Sequence, residues 1–238
     1  MIRLPRKFSF LRLAVLVLAV WAASPGPAAA LMLGFGNITS NDAGNAAIGE
    51  GQLSVDVTDL GGGGVSILFA NSGPEQSTIT HIYFDDGVTL DATTLTIAGD
   101  SGVNFSLDLD KHTSELDPAN LPGGNSLDPQ FETMLSVGAD NPSPKNGVNP
   151  GESVTLSFAS LNFQALTDAL NSGLLRVGIH VQNFANGGSE SFITTGGDDP
   201  STPQIDEPGS LLIFGAGIMG VAVLRRRRGS AKPITATP

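Results

Sequence analysis

The chain has 238 residues, of which 40% are hydrophobic and 15% charged, with a formal net charge of −11 at pH 7 and no cysteine. Without cysteine the chain cannot form disulfides or thiolate metal sites, so its stability has to come from a packed core or from bound ions. The acidic balance also argues against nucleic-acid binding, because a negative protein repels phosphates.

Residues 1–30 have the pattern of a secretory signal peptide. A basic stretch precedes the uncharged apolar stretch Leu13 to Trp21, and the alanines at positions 28 to 30 stand just before Leu31. The small residues Ala28 and Ala30 fit a signal peptidase site, so we expect cleavage after Ala30. The alternative is an uncleaved anchor helix. The apolar stretch is short for that role, because a membrane span needs about 20 residues.

Residues 31–207 contain the acidic part of the chain. All 23 acidic residues lie there with only three basic ones, Lys111, Lys145 and Arg176, which gives a net charge of −20. The length is that of one domain with a real core. We predict an exported domain over residues 31–195 and a polar linker over residues 196–206.

Short apolar or alternating stretches run through residues 31–195, as is typical of β-strands. The predicted strands are Gln52–Thr58, Val65–Ala70, Thr78–Phe84, Thr94–Ile97, Val103–Leu109, Ser153–Phe158, Leu174–Phe184 and Ser191–Thr194. One helix is predicted at Leu161–Leu170, with Gly173 at its end. The fold class is therefore all-β, and we expect a jelly-roll-like β-sandwich with one short helix.

Some strand faces and one long loop can also be predicted. In the third strand, Ile79, His81 and Tyr83 alternate with Ile82 and Phe84. In the strand from Leu174, four apolar residues are expected to face the core: Leu175, Val177, Ile179 and Val181. Residues 117–150 contain six prolines and predict a long loop, interrupted around residues 132–137.

The C-terminal region has the order of a sorting signal over residues 207–228. Glu207 and Pro208 precede an apolar run, residues 211–224, which we expect to form a transmembrane helix. Four arginines follow this helix: Arg225, Arg226, Arg227 and Arg228. Arginines next to a span stay in the cytoplasm, so residues 229–238 are predicted to be a cytoplasmic tail.

These two ends resemble the PEP-CTERM class of exported bacterial proteins. The matching residues are Glu207 and Pro208, the Gly-rich apolar run and the arginine cluster; Asp206 stands where the class usually has its first proline. The resemblance implies recognition by an exosortase-type membrane protease. It also implies export from a bacterial cell and a transient stay in the inner membrane. The final location would be the envelope, the exopolysaccharide or the biofilm matrix.

The exported domain resembles an uncharacterised group of PEP-CTERM ectodomains. The resemblance lies in Thr80–Asp85, Leu121–Asn125, Gly178–Gln182 and Gly187–Ser191. No activity is established for that group, so the resemblance implies no catalytic residue.

Three histidines, His81, His112 and His180, are the residues from which a zinc or hydrolytic site could be built. Such a site would need them to converge with a carboxylate, and nothing in their spacing requires this. No G-x-S-x-G motif marks a serine nucleophile. We therefore predict no catalytic residue and no enzyme activity, with a secreted hydrolase as the third function considered.

Calcium is the ligand with the best support in the sequence. The oxygen-rich positions are Asp85, Asp86, Asp108 and Asp110. Calcium takes six to eight oxygen ligands, often from loops. The alternative is a solvated acidic surface. The leading hypothesis is therefore a structural or interaction protein of the envelope or exopolysaccharide, and the second is an extracellular module that binds carbohydrate or calcium.

Overall fold

The computed structural model describes residues 29–85 and 90–195. Asp86, most of the predicted signal peptide, and the predicted linker, sorting segment and tail lie outside these residues. Within the described residues, no helix is long and apolar enough to cross a membrane.

The described chain contains eleven strands and two α-helices. The strands are β1 (Ala30–Leu33), β2 (Phe35–Asn37), β3 (Leu53–Gly61), β4 (Gly64–Asn71), β5 (Thr78–Phe84), β6 (Leu95–Gly99), β7 (Phe105–Leu107), β8 (Leu135–Ala139), β9 (Glu152–Phe158), β10 (Val177–Gln182) and β11 (Glu190–Thr194). The helices are α1 (Ala43–Gln52) and α2 (Phe163–Ser172), and the short 3-10 turns are Ala92–Thr94 and Gly124–Ser126.

The strands form two sheets in which every pairing is antiparallel. The five-stranded sheet has the order β1-β3-β4-β9-β6, and the six-stranded sheet has the order β2-β11-β10-β5-β8-β7. The prediction of a mostly β chain is therefore confirmed. A second short helix, α1, is present in addition to the predicted one.

Helix α1 was missed because its sequence carries no helical apolar stripe and includes three glycines, Gly44, Gly49 and Gly51. A cap stabilises its start. The Asp42 carboxylate accepts hydrogen bonds from the backbone N–H groups of Gly44 at 2.9 Å and Asn45 at 3.0 Å. Packing against the sheet also stabilises the helix, since Gly49 lies directly against the ring of Phe192.

The predicted strand Val103–Leu109 is shorter than expected. Only Phe105–Leu107 is paired as a strand, and beyond it the chain turns back, with Leu109 opposite Leu116 in an isolated bridge. Both leucines are more than 40% exposed. Strand β8 lies where the predicted loop over residues 117–150 was expected to be interrupted, around residues 132–137.

One hydrophobic core contains residues of both sheets. Phe84 of β5 packs edge-to-face on Phe69 of β4 and on Phe158 of β9, with 6.3 Å and 6.4 Å between the ring centroids. These three rings therefore bring residues of the two sheets into contact. The four residues of the β10 region predicted to face the core are all at most 1% exposed. Complete burial of one such side chain stabilises the fold by about 1.5–3 kcal/mol.

The prediction for the faces of β5 was wrong at Ile79. Between β5 and β10 the pairing shifts: His180 lies opposite His81, but Val181 lies opposite Ile79, so Thr80 is the extra residue of a β-bulge. The bulge turns Ile79 into the core, whereas His81 stays on the other face of the sheet. The alternation of residues between the two faces of a strand does not reveal such an inserted residue.

The outer face of the six-stranded sheet, which is the face turned away from the main core, is covered by residues 117–134, here called the cover segment. Leu121 and Phe131 of this segment form a second apolar cluster with Tyr83 of β5. Gly178 of β10 allows the close approach, because a Cβ there would lie 2.7 Å from Leu121 Cδ2. The predicted loop is thus packed on the sheet.

Gly49 and Gly51 give a matched test of helix packing. We expect Gly49→Ala to lower the free energy of unfolding by about 1–3 kcal/mol, because the new methyl group would overlap the buried Phe192 ring. Gly51→Ala meets no atom within 4 Å and should raise stability by up to about 1 kcal/mol. Urea unfolding of both variants checks this, and equal effects would refute the packing of α1 on Phe192.

Candidate functional site

Two of the three histidines come together on the outer face of the six-stranded sheet. His81 of β5 and His180 of β10 are directly opposite each other across the strand pair, and both are half-buried. His112 is not part of this pair and lies exposed in the turn that follows Asp110. The sequence identified these residues, but the pairing depends on strand register.

The ring of His81 leans towards β8. A Cβ on Gly138 of β8 would lie only 2.6 Å from His81 Nε2, so the ring occupies the space that this glycine leaves. The ring also stacks on Tyr83, with 5.9 Å between the ring centroids and 19° between their planes. Because β8 and β10 lie on opposite sides of β5, the imidazole of His81 points away from His180.

Both ring nitrogens of His180 have hydrogen-bond partners. Its Nε2 accepts from the Gln182 side-chain amide at 3.2 Å, which leaves the hydrogen on Nδ1 to be donated to Ser191 Oγ at 3.1 Å. This is a neutral imidazole. Burial lowers the pKa of His180, and the neighbouring charge of His81 lowers it further, although Glu190 acts in the opposite direction.

Asp108 connects the histidine face to the cover segment. Ser136 Oγ donates to Asp108 Oδ2 at 2.5 Å, and Ser136 Oγ itself accepts from the backbone N–H of Ala119 at 2.9 Å. The other carboxylate oxygen lies 3.2 Å from the position of a Cβ on Gly138, on the side occupied by His81. Burial lowers the pKa of His81, and the Asp108 carboxylate partly opposes that shift.

Arg176 holds a second part of the cover segment. Asp85 is 2% exposed and accepts from the Arg176 backbone N–H at 2.6 Å and from Nε at 2.5 Å. Nη1 and Nη2 donate to the carbonyls of Pro129 at 2.9 Å and Gln130 at 2.7 Å. The guanidinium carbon lies 5.3 Å from the ring centre of Phe131, a cation–π distance.

A cavity of about 410 Å³ opens beside this ion pair. It is lined by Asp85, Pro129, Gln130, Glu132, Gly173, Leu174 and Arg176. The three hydrogen-bonding nitrogens of the arginine side chain are engaged with the protein, so this side chain acts here as a structural clamp.

The residues predicted to bind calcium are divided between different networks. Asp85 pairs with Arg176, and Asp108 accepts from Ser136. Asp110 accepts from the N–H groups of Thr113 at 2.7 Å and His112 at 2.8 Å, and these bonds lower its pKa. Asp86 lies outside the described residues. Among the residues the structure describes, no group of three His, Asp or Glu could hold a metal ion.

Glu190 is the buried charge that sequence reasoning missed. It is 0% exposed, and its carboxylate accepts from Thr39 Oγ1 at 2.5 Å, Asn37 Nδ2 at 3.1 Å and the N–H groups of Asn41 at 3.1 Å and Asp42 at 2.6 Å. Burial alone would raise the pKa of Glu190, but these hydrogen bonds outweigh it and lower the pKa. The carboxylate therefore fixes the chain leading into α1 onto β11.

Comparison with protein-family models, with curated proteins and with solved structures finds no match to this chain. What this site can do has therefore to be inferred from the positions and contacts of its own residues.

Glu190→Gln should lower the free energy of unfolding at pH 7 by about 1–3 kcal/mol, because an amide nitrogen would face donors that now bind a carboxylate. The pKa of Glu190 is lowered in the folded protein, so its contribution is complete above the ordinary value of about 4.3 and is lost as pH falls through the folded value. The difference from wild type should therefore shrink on acidification.

Urea unfolding at several pH values between 7 and 3 measures this difference. The control is Glu115→Gln, at an exposed position in the turn after Asp110. A pH-independent difference for the Glu190 variant would contradict the role of its charge.

Proposed function

We propose that the chain is an exported structural or interaction protein of the bacterial envelope or exopolysaccharide, directed there by its C-terminal segment. The observation that carries the proposal is the order of that segment. Glu207 and Pro208 are followed by the apolar run of residues 211–224 and then by the arginine cluster of residues 225–228.

The distribution of charge supports export of the central domain. Residues 31–207 have a net charge of −20, whereas nine of the 12 basic residues lie before or after them. Positive charges next to apolar segments stay on the cytoplasmic side of a membrane. This arrangement would leave an acidic, soluble domain outside, which repels nucleic acid and attracts cations.

The length of the apolar run supports processing over permanent anchoring. Fourteen helical residues cover about 21 Å, which is less than a hydrocarbon core of about 30 Å. Such a helix would halt the chain with the arginines inside and present Glu207 and Pro208 at the outer face. An exosortase-type membrane protease would then cut there and release the domain to the matrix.

We also propose that the two sheets pack face to face as a jelly-roll-like β-sandwich. Supporting this, Phe84 of the six-stranded sheet contacts Phe69 and Phe158 of the other sheet. In addition, only three consecutive strand pairs, β3–β4, β7–β8 and β10–β11, are neighbours within one sheet of the described chain. The remaining connections pass between sheets, as in Greek-key and jelly-roll folds.

The site geometry favours an interaction role over hydrolysis. His180 is held neutral between Ser191 and Gln182, and the ring of His81 leans away from it towards β8. These contacts lie within the outer face of the six-stranded sheet. An acidic domain that is directed out of the cell by its C-terminal segment fits a structural or interaction component of the exopolysaccharide matrix.

Two epitope tags test the sorting proposal, one after Leu31 and one after Pro238. In a host with the sorting enzyme, we expect the first tag in the extracellular fraction and the second in the membrane fraction, because cleavage near Glu207 separates them. Replacing the four arginines with glutamine should abolish this separation, whereas replacing them with lysine should preserve it. A doubly tagged full-length protein in the matrix of that host would refute the proposal.

A further inference from the structure

Three groups form a chain of contacts from the histidine face to the cover segment. His81 Nε2 and Asp108 Oδ1 both border the space above Gly138, 2.6 Å and 3.2 Å from the position of its missing Cβ. The second oxygen of Asp108 accepts from Ser136 Oγ, which in turn accepts from Ala119 N–H. Ala119 belongs to the cover segment, so the charge of Asp108 is linked to its attachment.

Other titratable groups face the same region. Tyr83 stacks on His81, and burial raises the pKa of its hydroxyl far above its usual range, so it stays neutral at physiological pH. His180 lies across the strand pair, and Glu190 acts on it from β11. Asp140 accepts from Ser106 Oγ at 2.6 Å at the edge of this face. Of the carboxylates, Asp108 is the one whose charge acts on His81.

We propose that His81 is an acid-sensitive switch for the cover segment: on protonation it draws Asp108 away from Ser136, and the hydrogen bond that holds Ala119 is released. Asp108 accepts from a neutral hydroxyl in the closed state, and an imidazolium beside it is a stronger partner. Ser136 is buried under the cover, so loss of its partner there destabilises the closed arrangement.

Linkage gives the direction of the switch. With the cover closed, burial holds the pKa of His81 below its ordinary value; with the cover open, the ring is hydrated and its pKa returns towards about 6.5. The open state therefore binds the proton more tightly, so falling pH shifts the equilibrium towards it. Glu190, whose pKa is lowered, stays ionised at pH 5 and does not contribute.

The opening is confined to one end of the cover segment. Arg176 holds Pro129 and Gln130 independently of His81, so the later part of the segment stays attached. The part that begins at Ala119 carries Leu121, which packs on Tyr83. Acid would therefore uncover an apolar surface on the sheet and give the domain a contact face that is hidden at neutral pH.

Hydrogen–deuterium exchange of the full chain at pH 7.5 and pH 5.0 tests the switch, after correction for intrinsic exchange rates. We expect protection of residues 117–123 to fall at least fivefold at pH 5.0, while β8 stays protected. One histidine with an open-state pKa of about 6.5 allows a change of up to about 30-fold. His81→Gln should lose the acid response, because glutamine takes up no proton, and His112→Gln should keep it.

Two outcomes would overturn the proposal. One is equal protection of residues 117–123 at both pH values in wild type. The other is an acid response that persists in His81→Gln, which has no group to take up the proton. If His81→Gln fails to fold, His81→Asn provides a second variant without a titratable ring, and the same outcome in it would overturn the proposal.

Discussion

The ion pair between Arg176 and Asp85 is the interaction on which the arrangement of the outer face depends. Arg176 is one of three basic residues in an acidic domain, and its side chain is 15% exposed. One guanidinium joins the end of β5, the chain entering β10 and two carbonyls of the cover segment. A buried carboxylate left without its partner is strongly destabilising, so this clamp and the packing around it are coupled.

Because the cover segment is held in place, the six-stranded sheet is enclosed on both faces near its centre. Its inner face joins the main core, and its outer face carries the cluster of Tyr83, Leu121 and Phe131. His81 and His180 lie at the border of that enclosure, half-buried, and burial lowers the pKa of both. Burial thus disfavours the charged form of both imidazoles. The buried Glu190 carboxylate serves a similar fastening role for α1.

The sequence predicted the features that have a regular period or a strong local signal. The predicted apolar alternation of β10 and the predicted helix Leu161–Leu170 ending at Gly173 were close to the structure. In the structure Asn162 caps the start of α2, and Gly173 lies in the left-handed region at φ 70°. Helix α1 was missed because long-range packing stabilises it against its local composition, and strand β8 was anticipated only as an interruption of the predicted loop. The bulge at Thr80 and the donors around Glu190 come from residues more than 90 positions apart, which no local pattern encodes.

Arg176→Lys tests most directly whether this clamp holds the cover segment. Lysine keeps the charge but cannot donate in a planar fork to Asp85 and two carbonyls at once. Hydrogen–deuterium exchange at pH 7.5 should show loss of protection over residues 124–134 in this variant, with the central strands β4 and β9 unchanged. Lys145→Arg provides the control. Wild-type protection of residues 124–134 in Arg176→Lys would contradict the account.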